Sequence, residues 1–316
     1  MKSSNSTIPY LSEEDLENLG ISTDEVVQSI EGLIVASAKD SVWSAPKAVI
    51  MPPDGRYMMA ALAAADDPSL LVVKTVVLNP DNPKSGLPQI NGLVTVLNSE
   101  TGLPVAIMDA NWITAVRTAG LSAVAAKHMA RKSSSVAAFI GCGVQARSHL
   151  KAFSDMFALE YIRVFGRGST TIDSFCQYAD SLDIGSTVFS SGEEAMREAD
   201  LVVTSVTYSA NLIPFLDARC LKPGSFCTVT DLSAPWNKDS FSAFDRICID
   251  DLQQEAALPN KLVAPELVTG DLSGLVLGKF TGRKDDTERC AFIFRGHALG
   301  DLALTALAWQ KAEKLE

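Results

Sequence analysis

The chain is short of several things that would settle its class quickly. It has 3 histidines, at 128, 149 and 297, and no two of them are spaced for one helical metal site. Its 6 cysteines, at 142, 176, 220, 227, 248 and 290, form no Cys-x-x-Cys pair. Reduced thiols are therefore expected rather than disulfides or zinc, and no structural metal is expected. Positive charge is scarce, with 27 Lys and Arg against 38 Asp and Glu and a net charge of −11. That balance argues against nucleic acid and anionic membranes as partners, both of which need a basic surface. It does not bar a small anionic substrate, because a few local cations dominate one pocket. No apolar run reaches the roughly 18 residues of a membrane span, and the opening Met1-Lys-Ser-Ser-Asn-Ser-Thr has no apolar core of an export signal. The expected location is the cytoplasm.

What is present is a chain of 316 residues, 47% of them hydrophobic, enough for two domains with sizeable cores. Residues 1–10 are polar and expected to fray. Ser12 reads as the cap of a first helix. Val26, Val27, Ile30, Leu33, Ile34 and Ala38 then form a helical stripe. From 46 to 108 the period shortens. Strands are expected at 48–51, 57–60, 70–77, 92–97 and 105–108, separated by Pro, Gly, Asn and Asp, in a mixed or antiparallel sheet. An alanine-rich helix over 112–131 follows.

Beyond it, strands and helices alternate. Strands are expected at 136–140, 161–165, 187–189, 201–205, 225–230 and 246–249. Helices are expected at 145–157, 170–182, 192–198 and 239–243, and a last one at 300–315. Alternation of this kind builds a parallel, doubly wound sheet. The most telling stretch is Val136-Ala-Ala-Phe-Ile140, which runs into Gly141-x-Gly143-x-x-Ala146. The first glycine permits the turn from strand to helix, and the second lets a pyrophosphate approach the backbone. Ala146 keeps helix and strand close. Val144 and Gln145 open the helix whose N–H groups face the phosphates. This is the Rossmann pattern of a dinucleotide site.

In such sites an acid at the end of the second strand binds the ribose of NAD. Here that strand ends in Gly166-Arg167-Gly168-Ser169-Thr170, with no acid. Arg167, Ser169 and Thr170 suit a 2′-phosphate, so NADP(H) is preferred, with NAD(H) possible. Thr204 and Ser205 end the strand expected beside the nicotinamide. They either bond the cofactor or close a core strand.

Three cations interrupt apolar segments: Lys47, Lys74 within Leu70–Val77, and Arg117 within Trp112–Gly120. A buried cation is costly unless paired. Each either bridges to a carboxylate such as Asp109 or belongs to a pocket for a substrate carboxylate, which Arg117 would clamp bidentately.

These pieces together resemble the ornithine cyclodeaminase/μ-crystallin family over nearly the full chain. The resemblance rests on Tyr10-Leu-Ser-Glu-Glu-Asp15, Lys74-x-Val76, Gly102-Leu-Pro-Val-Ala106, Ile113-Thr-Ala-Val-Arg-Thr-Ala119, Gly141-x-Gly-Val-Gln-Ala-Arg147, Leu221-Lys-Pro-Gly224, and Phe294-x-Gly-x-Ala298 with Asp301. It implies an α/β fold, a Rossmann domain (116–296) inserted into a mixed α+β substrate-binding and dimerisation domain (1–115 with 297–316), and a homodimer. It implies that Arg117 and Lys74 hold a substrate carboxylate. Lys47 stands where the family commonly has arginine, which keeps the charge and loses the fork.

The family's cyclodeaminases and alanine dehydrogenases carry a Gly-x-Asp-x-Pro segment. This chain reads Asp231-Leu-Ser-Ala-Pro235, so Ser233 replaces the aspartate, as in the family's ketimine reductases. A serine without a base does not activate water near neutral pH. If the strand continued through this segment, Asp231 would share a face with Ser233 and could stand in for the base. Arg295 replaces a small hydroxyl residue, and either adds an anion contact or points outward. His297 beside it is structural or passes a proton.

The resemblance thus implies an NADPH-dependent reductase of cyclic ketimines such as Δ1-pyrroline-2-carboxylate or Δ1-piperideine-2-carboxylate, with Lys74, Arg117 and Ser233 in the catalytic set. The alternatives are ornithine cyclodeamination, amino-acid dehydrogenation as in an alanine dehydrogenase, and a protein that binds small ligands without turnover.

Overall fold

The structure is a computed structural model and describes residues 7–207 and 211–314. Of the expected frayed start at 1–10, residues 1–6 lie outside the described residues, as does Leu315 at the end of the last helix, whereas Tyr10 is paired with Ile107 in a strand. The chain divides into two compact units, Met1–Arg117 with Ala298–Glu316, and Thr118–His297.

The first unit is built on a seven-stranded mixed sheet. Its elements are β1 (Tyr10–Leu11), α1 (Glu13–Asn18), α2 (Thr23–Ser37), β2 (Val42–Ser44), β3 (Ala48–Ile50), β4 (Tyr57–Ala65), β5 (Leu70–Leu78), β6 (Ile90–Asn98) and β7 (Pro104–Asp109). The order is β1-β7-β6-β5-β4-β2, with β3 also on β4. Only β1 on β7 is parallel among these pairings. Ser12 caps α1 in a reciprocal box with Asp15, and Ser22 does the same for α2 with Glu25.

The stripe Val26, Val27, Ile30, Leu33, Ile34 is buried. Burial of each such side chain is worth about 1.5–3 kcal/mol. The C-terminal helix Ala298–Glu313 packs on α2, β4 and β5, so Leu302 and Leu304 bury their side chains in the first unit.

Strand β4 runs to Ala65, five residues past the expected end at Ala60. Ala60-Ala-Leu-Ala-Ala-Ala65 is rich in a strong helix former, but pairing with β5 on one side and β2 and β3 on the other overrides that preference.

Helix α3 (Ala110–Met129) begins in the first unit and continues into the second. The second unit then runs β8 (Val136–Ile140), α4 (Val144–Met156), β9 (Tyr161–Phe165), α5 (Ser169–Asp180), β10 (Gly185–Val188), α6 (Gly192–Met196), β11 (Leu201–Thr204), β12 (Phe226–Val229), β13 (Arg246–Ile249), α7 (Leu252–Ala257), β14 (Val268–Asp271), α8 (Leu272–Val276) and β15 (Cys290–Ile293). Its eight strands lie in the order β10-β9-β8-β11-β12-β15-β13-β14. Every pairing is parallel. This is the doubly wound α/β sheet, with the change of direction at β8 and β11, where such sheets bind ligands.

Two expectations are corrected. Residues 239–243 belong to a 3-10 helix, Lys238–Ala243, capped by Asn237, rather than an α-helix. Strand β15, not foreseen, inserts between β12 and β13; its four residues are all buried. Among the described residues, no helix is long and apolar enough to cross a membrane.

Candidate active site

In the second unit the turn after β8 forms one wall of a groove of about 280 Å³. Gly141 has φ +101°, and a Cβ there would lie 2.6 Å from the Ser205 carbonyl oxygen. Only glycine fits. A Cβ at Gly143 would meet no atom within 4 Å. The space beside Gly143 is open where a pyrophosphate would come against the first turn of α4, whose N-cap carries no side-chain hydrogen bond. Ala146 is fully buried against the sheet, as the tight strand–helix corner requires.

The residues expected at the cofactor separate into four groups. Gly141, Gly143, Arg167 and Ser205 line the groove. Val144, Gln145 and Ala146 form the first turn of α4 beside it. Ser169 and Thr170 begin α5 as exposed residues, and of the hydroxyl residues 169–171 it is Thr171 that lines the groove. Thr204 is corrected: its Oγ1 accepts a hydrogen bond from Trp236 Nε1 at 3.2 Å inside the core. Alternation at the strand end turns Thr204 inward and leaves Ser205 for the groove.

The segment after β12 does not stay extended. The strand ends at Val229, and Leu232 and Ser233 take left-handed φ values of +57° and +60°. The shared face expected for Asp231 and Ser233 therefore does not form. Asp231 is 6% exposed and Ser233 1%. Asp231 Oδ2 accepts the Val206 N–H at 3.1 Å. Burial pushes Asp231 up to about 7, against the hydrogen bonds from Val206 and Thr204. Ser233 Oγ is buried without a hydrogen-bond partner.

Arg295 neither points outward nor waits for an anion. Its Nε donates to Glu255 Oε2 at 2.7 Å and its Nη2 to the Asn260 carbonyl. His297 Nε2 lies 3.0 Å from Asp251 Oδ2.

In the first unit the structure brings together residues far apart in sequence. Lys74 sits mid-strand in β5 on the covered face of the sheet, 0% exposed. Its Nζ donates to Asp301 Oδ1 at 2.6 Å and to Thr114 Oγ1 at 3.2 Å. Arg117 Nε is 2.9 Å from the same Asp301 oxygen. Asp301 is thus the carboxylate partner, and not Asp109, which instead caps α3 by accepting the Trp112 N–H at 2.8 Å. Lys47, half-buried at the start of β3, adds its field to both Lys74 and Asp301.

Burial and the Arg117 charge bring Lys74 down to about 7, with Asp301 opposing. Burial raises Asp301, but Arg117 and Lys74 outweigh it and the net direction is down. Two buried cations share one carboxylate. Arg117 Nε and Nη1 and Asp301 Oδ2 have no aligned hydrogen-bond partner. An arrangement with this surplus of positive charge and N–H donors accepts an anion, and a planar carboxylate fits the fork of Arg117.

Asp301 was legible as a motif residue but not as this partner. A lone acid within Leu299-Gly-Asp-Leu-Ala-Leu304 is the signal that would have pointed to a buried cation. Among the described residues, no group of three or more His, Cys, Asp or Glu is placed to hold a metal ion.

A glycine-turned dinucleotide groove on a doubly wound sheet, accompanied by a buried anion-accepting cluster, defines the class: an oxidoreductase that uses a nicotinamide cofactor. Residues 10–316 match the model of the ornithine cyclodeaminase/mu-crystallin family, and the chain belongs to that family. It is similar to an alanine dehydrogenase of Archaeoglobus fulgidus, with 29% identity over 314 residues, covering 96% of this chain and 94% of that protein. It is also similar to a Δ1-pyrroline-2-carboxylate reductase of Bacillus cereus, with 25% identity over 265 residues, covering 79% of this chain and 80% of that protein. The solved structure of Thermococcus litoralis Δ1-pyrroline-2-carboxylate reductase in complex with NADH and L-proline superposes with a TM-score of 0.89 at 25% identity, covering 97% of this chain and 98% of that one.

Proposed function

We propose that the protein reduces cyclic ketimine carboxylates, Δ1-pyrroline-2-carboxylate or Δ1-piperideine-2-carboxylate, to L-proline or L-pipecolate. The observation that carries this reading is the buried Lys74–Arg117 pair on the single carboxylate of Asp301. The resemblance to two pyrroline-2-carboxylate reductases supports it.

A bound nicotinamide supplies the hydride. The protein's own part is positioning and proton supply. Arg117 takes the substrate carboxylate through its guanidinium, whose Nη1 has no hydrogen-bond partner, with Lys47 adding charge. Lys74, brought to about 7 by burial and by Arg117, holds a proton it is able to release near neutral pH. The ring carbon gains the hydride and the ring nitrogen the proton, which leaves a secondary amine and the oxidised cofactor. Asp301 keeps Lys74 in place and balances its charge.

Ser233 supplies no base. It stands where the cyclodeaminase pattern has aspartate, and a serine hydroxyl does not draw a proton from water at neutral pH. Asp231 does not substitute, because its carboxylate is turned to Val206.

Arg167 lines the groove, and no acidic side chain occurs from Tyr161 to Ile172. This supports NADP(H) as the preferred cofactor, with NAD(H) also accepted. The sheet of the first unit exposes Trp43, Val49, Ile50, Leu62 and Leu93. An apolar face of this kind suits a second copy of the chain, so the enzyme works as a homodimer. All six cysteines are free thiols, in keeping with the cytoplasm.

The test follows the loss of NADPH absorbance with Δ1-pyrroline-2-carboxylate, beside an ammonia assay with ornithine and NAD+ and a third assay with pyruvate, ammonia and NADH. Rapid oxidation of NADPH by the ketimine alone is expected. Ammonia from ornithine would establish a cyclodeaminase instead. Faster turnover of pyruvate and ammonia would establish an alanine dehydrogenase.

A further inference from the structure

The carboxyl group of Asp231 has no part in the reduction outlined above, yet it is buried beside the dinucleotide groove. The Gly-x-Asp-x-Pro pattern has glycine at this position, so a carboxylate is a costly addition. A buried carboxylate is tolerated only when hydrogen-bonded. Here Oδ2 accepts the Val206 N–H at 3.1 Å, and the Thr204 hydroxyl and the Ser233 backbone N–H also face the group. Thr204 Oγ1 in turn accepts from Trp236 Nε1 at 3.2 Å. Through Oδ2 the carboxylate is thus tied to the backbone just past β11, while its Oδ1 is buried without a hydrogen-bond partner. Val206 stands between Ser205 and Thr207, and all three line the groove.

We propose that Asp231 is a positioning residue for the dinucleotide: its carboxylate holds the Ser205-Val206-Thr207 wall in shape, and loss of that negative charge loosens cofactor binding. The proposal rests on the reading of the second unit as a cofactor unit. A protonated carboxyl accepts hydrogen bonds more weakly and brings an O–H that needs its own acceptor. The groups around it do not mask the effect. On β12 the titratable neighbour is Cys227, a thiol that burial holds well above its ordinary range. From β11 it meets neutral Thr204 and Val206, and behind them the indole of Trp236. Burial brings Asp231 to about 7, so its charge changes within the working range of the protein.

The test measures the dissociation constant of NADH by calorimetry across pH values on both sides of ~7. NADH is the probe because it lacks a 2′-phosphate that would itself titrate. Wild-type affinity is expected to fall toward about tenfold per pH unit below ~7, the limit for one proton. Asp231→Asn is expected to bind about tenfold more weakly than wild type at high pH and to lose the pH dependence. Unchanged affinity and profile in Asp231→Asn or Asp231→Gly would overturn the proposal. If neither variant folds, the wild-type profile decides, and a flat one overturns it. A wild type that binds neither NADH nor NADPH at any pH would overturn the cofactor reading itself, whatever Asp231 does.

Discussion

The two units assemble their polar groups in opposite ways. In Thr118–His297 the glycine-turn end of the groove is made of backbone, and Arg167 adds a charged side chain to the lining. Gly141 turns the chain, Gly143 leaves open space, and the first turn of α4 presents N–H groups. These groups come from one contiguous stretch and carry partial charges only. In Met1–Arg117 with Ala298–Glu316 the polar groups are full charges in the core. Lys74, Arg117 and Asp301 come from a strand and two helices, and 227 residues separate the lysine from its acid. Backbone recognition tolerates change in side chains but not in the turn. A buried charge cluster depends on each side chain in it, because removing one member leaves the others uncompensated.

The sharpest way to test that contrast is Asp301→Ala, which leaves Lys74 and Arg117 facing each other without a carboxylate. A loss of about 3–5 kcal/mol is expected in urea unfolding. A loss below about 1 kcal/mol would mean that water or Lys74 deprotonation absorbs the change. Next in size is Arg117→Ala. With the fork gone, kcat/KM for the ketimine should fall about a hundredfold, while NADPH binding stays as it is. Equal kinetics in a folded variant would remove Arg117 from the substrate site.

The pH dependence is a gentler probe of the same cluster. Lys74 is lowered to about 7. It carries its proton below that value and loses it above. Ketimine reduction should therefore slow by about tenfold per unit as the pH rises past ~7, and Lys74→Arg should abolish this limb because guanidinium does not titrate there. A profile unchanged in Lys74→Arg would assign the proton to another group. The smallest effect belongs to the exposed edge of the groove. Arg167→Ala should weaken NADPH about tenfold and spare NADH. Equal loss for both would show that Arg167 does not meet the 2′-phosphate.

The same contrast explains what was legible in the sequence. Gly141 to Arg147 is read correctly because its geometry is local: a strand, a turn that needs positive φ, and a helix start. Ser12 and the stripe Val26–Ile34 are local for the same reason. The cations at 74 and 117 are noticed as anomalies in apolar segments, but Asp301 is not singled out as their partner from acids such as Asp109, since proximity in sequence does not decide which helix covers a sheet. Thr204 is misplaced because adjacent residues at a strand end face opposite ways, and only the packing of Trp236 shows which way is inward. The turn at Leu232 and Ser233 is missed because two left-handed residues without glycine carry no sequence signal.

By itself the sequence determined the alternation that builds a parallel sheet, the dinucleotide turn, the presence of buried cations and membership of the family. These follow from periodicity, from the steric freedom of glycine and from motifs a few residues long. Only the tertiary structure decided that Asp301 answers Lys74 and Arg117, that β15 enters between β12 and β13, and that Asp231 faces Val206 rather than a shared face with Ser233. Each of these depends on contacts between residues distant in the chain. Their energies are gained only when the whole core closes, so no local pattern records them.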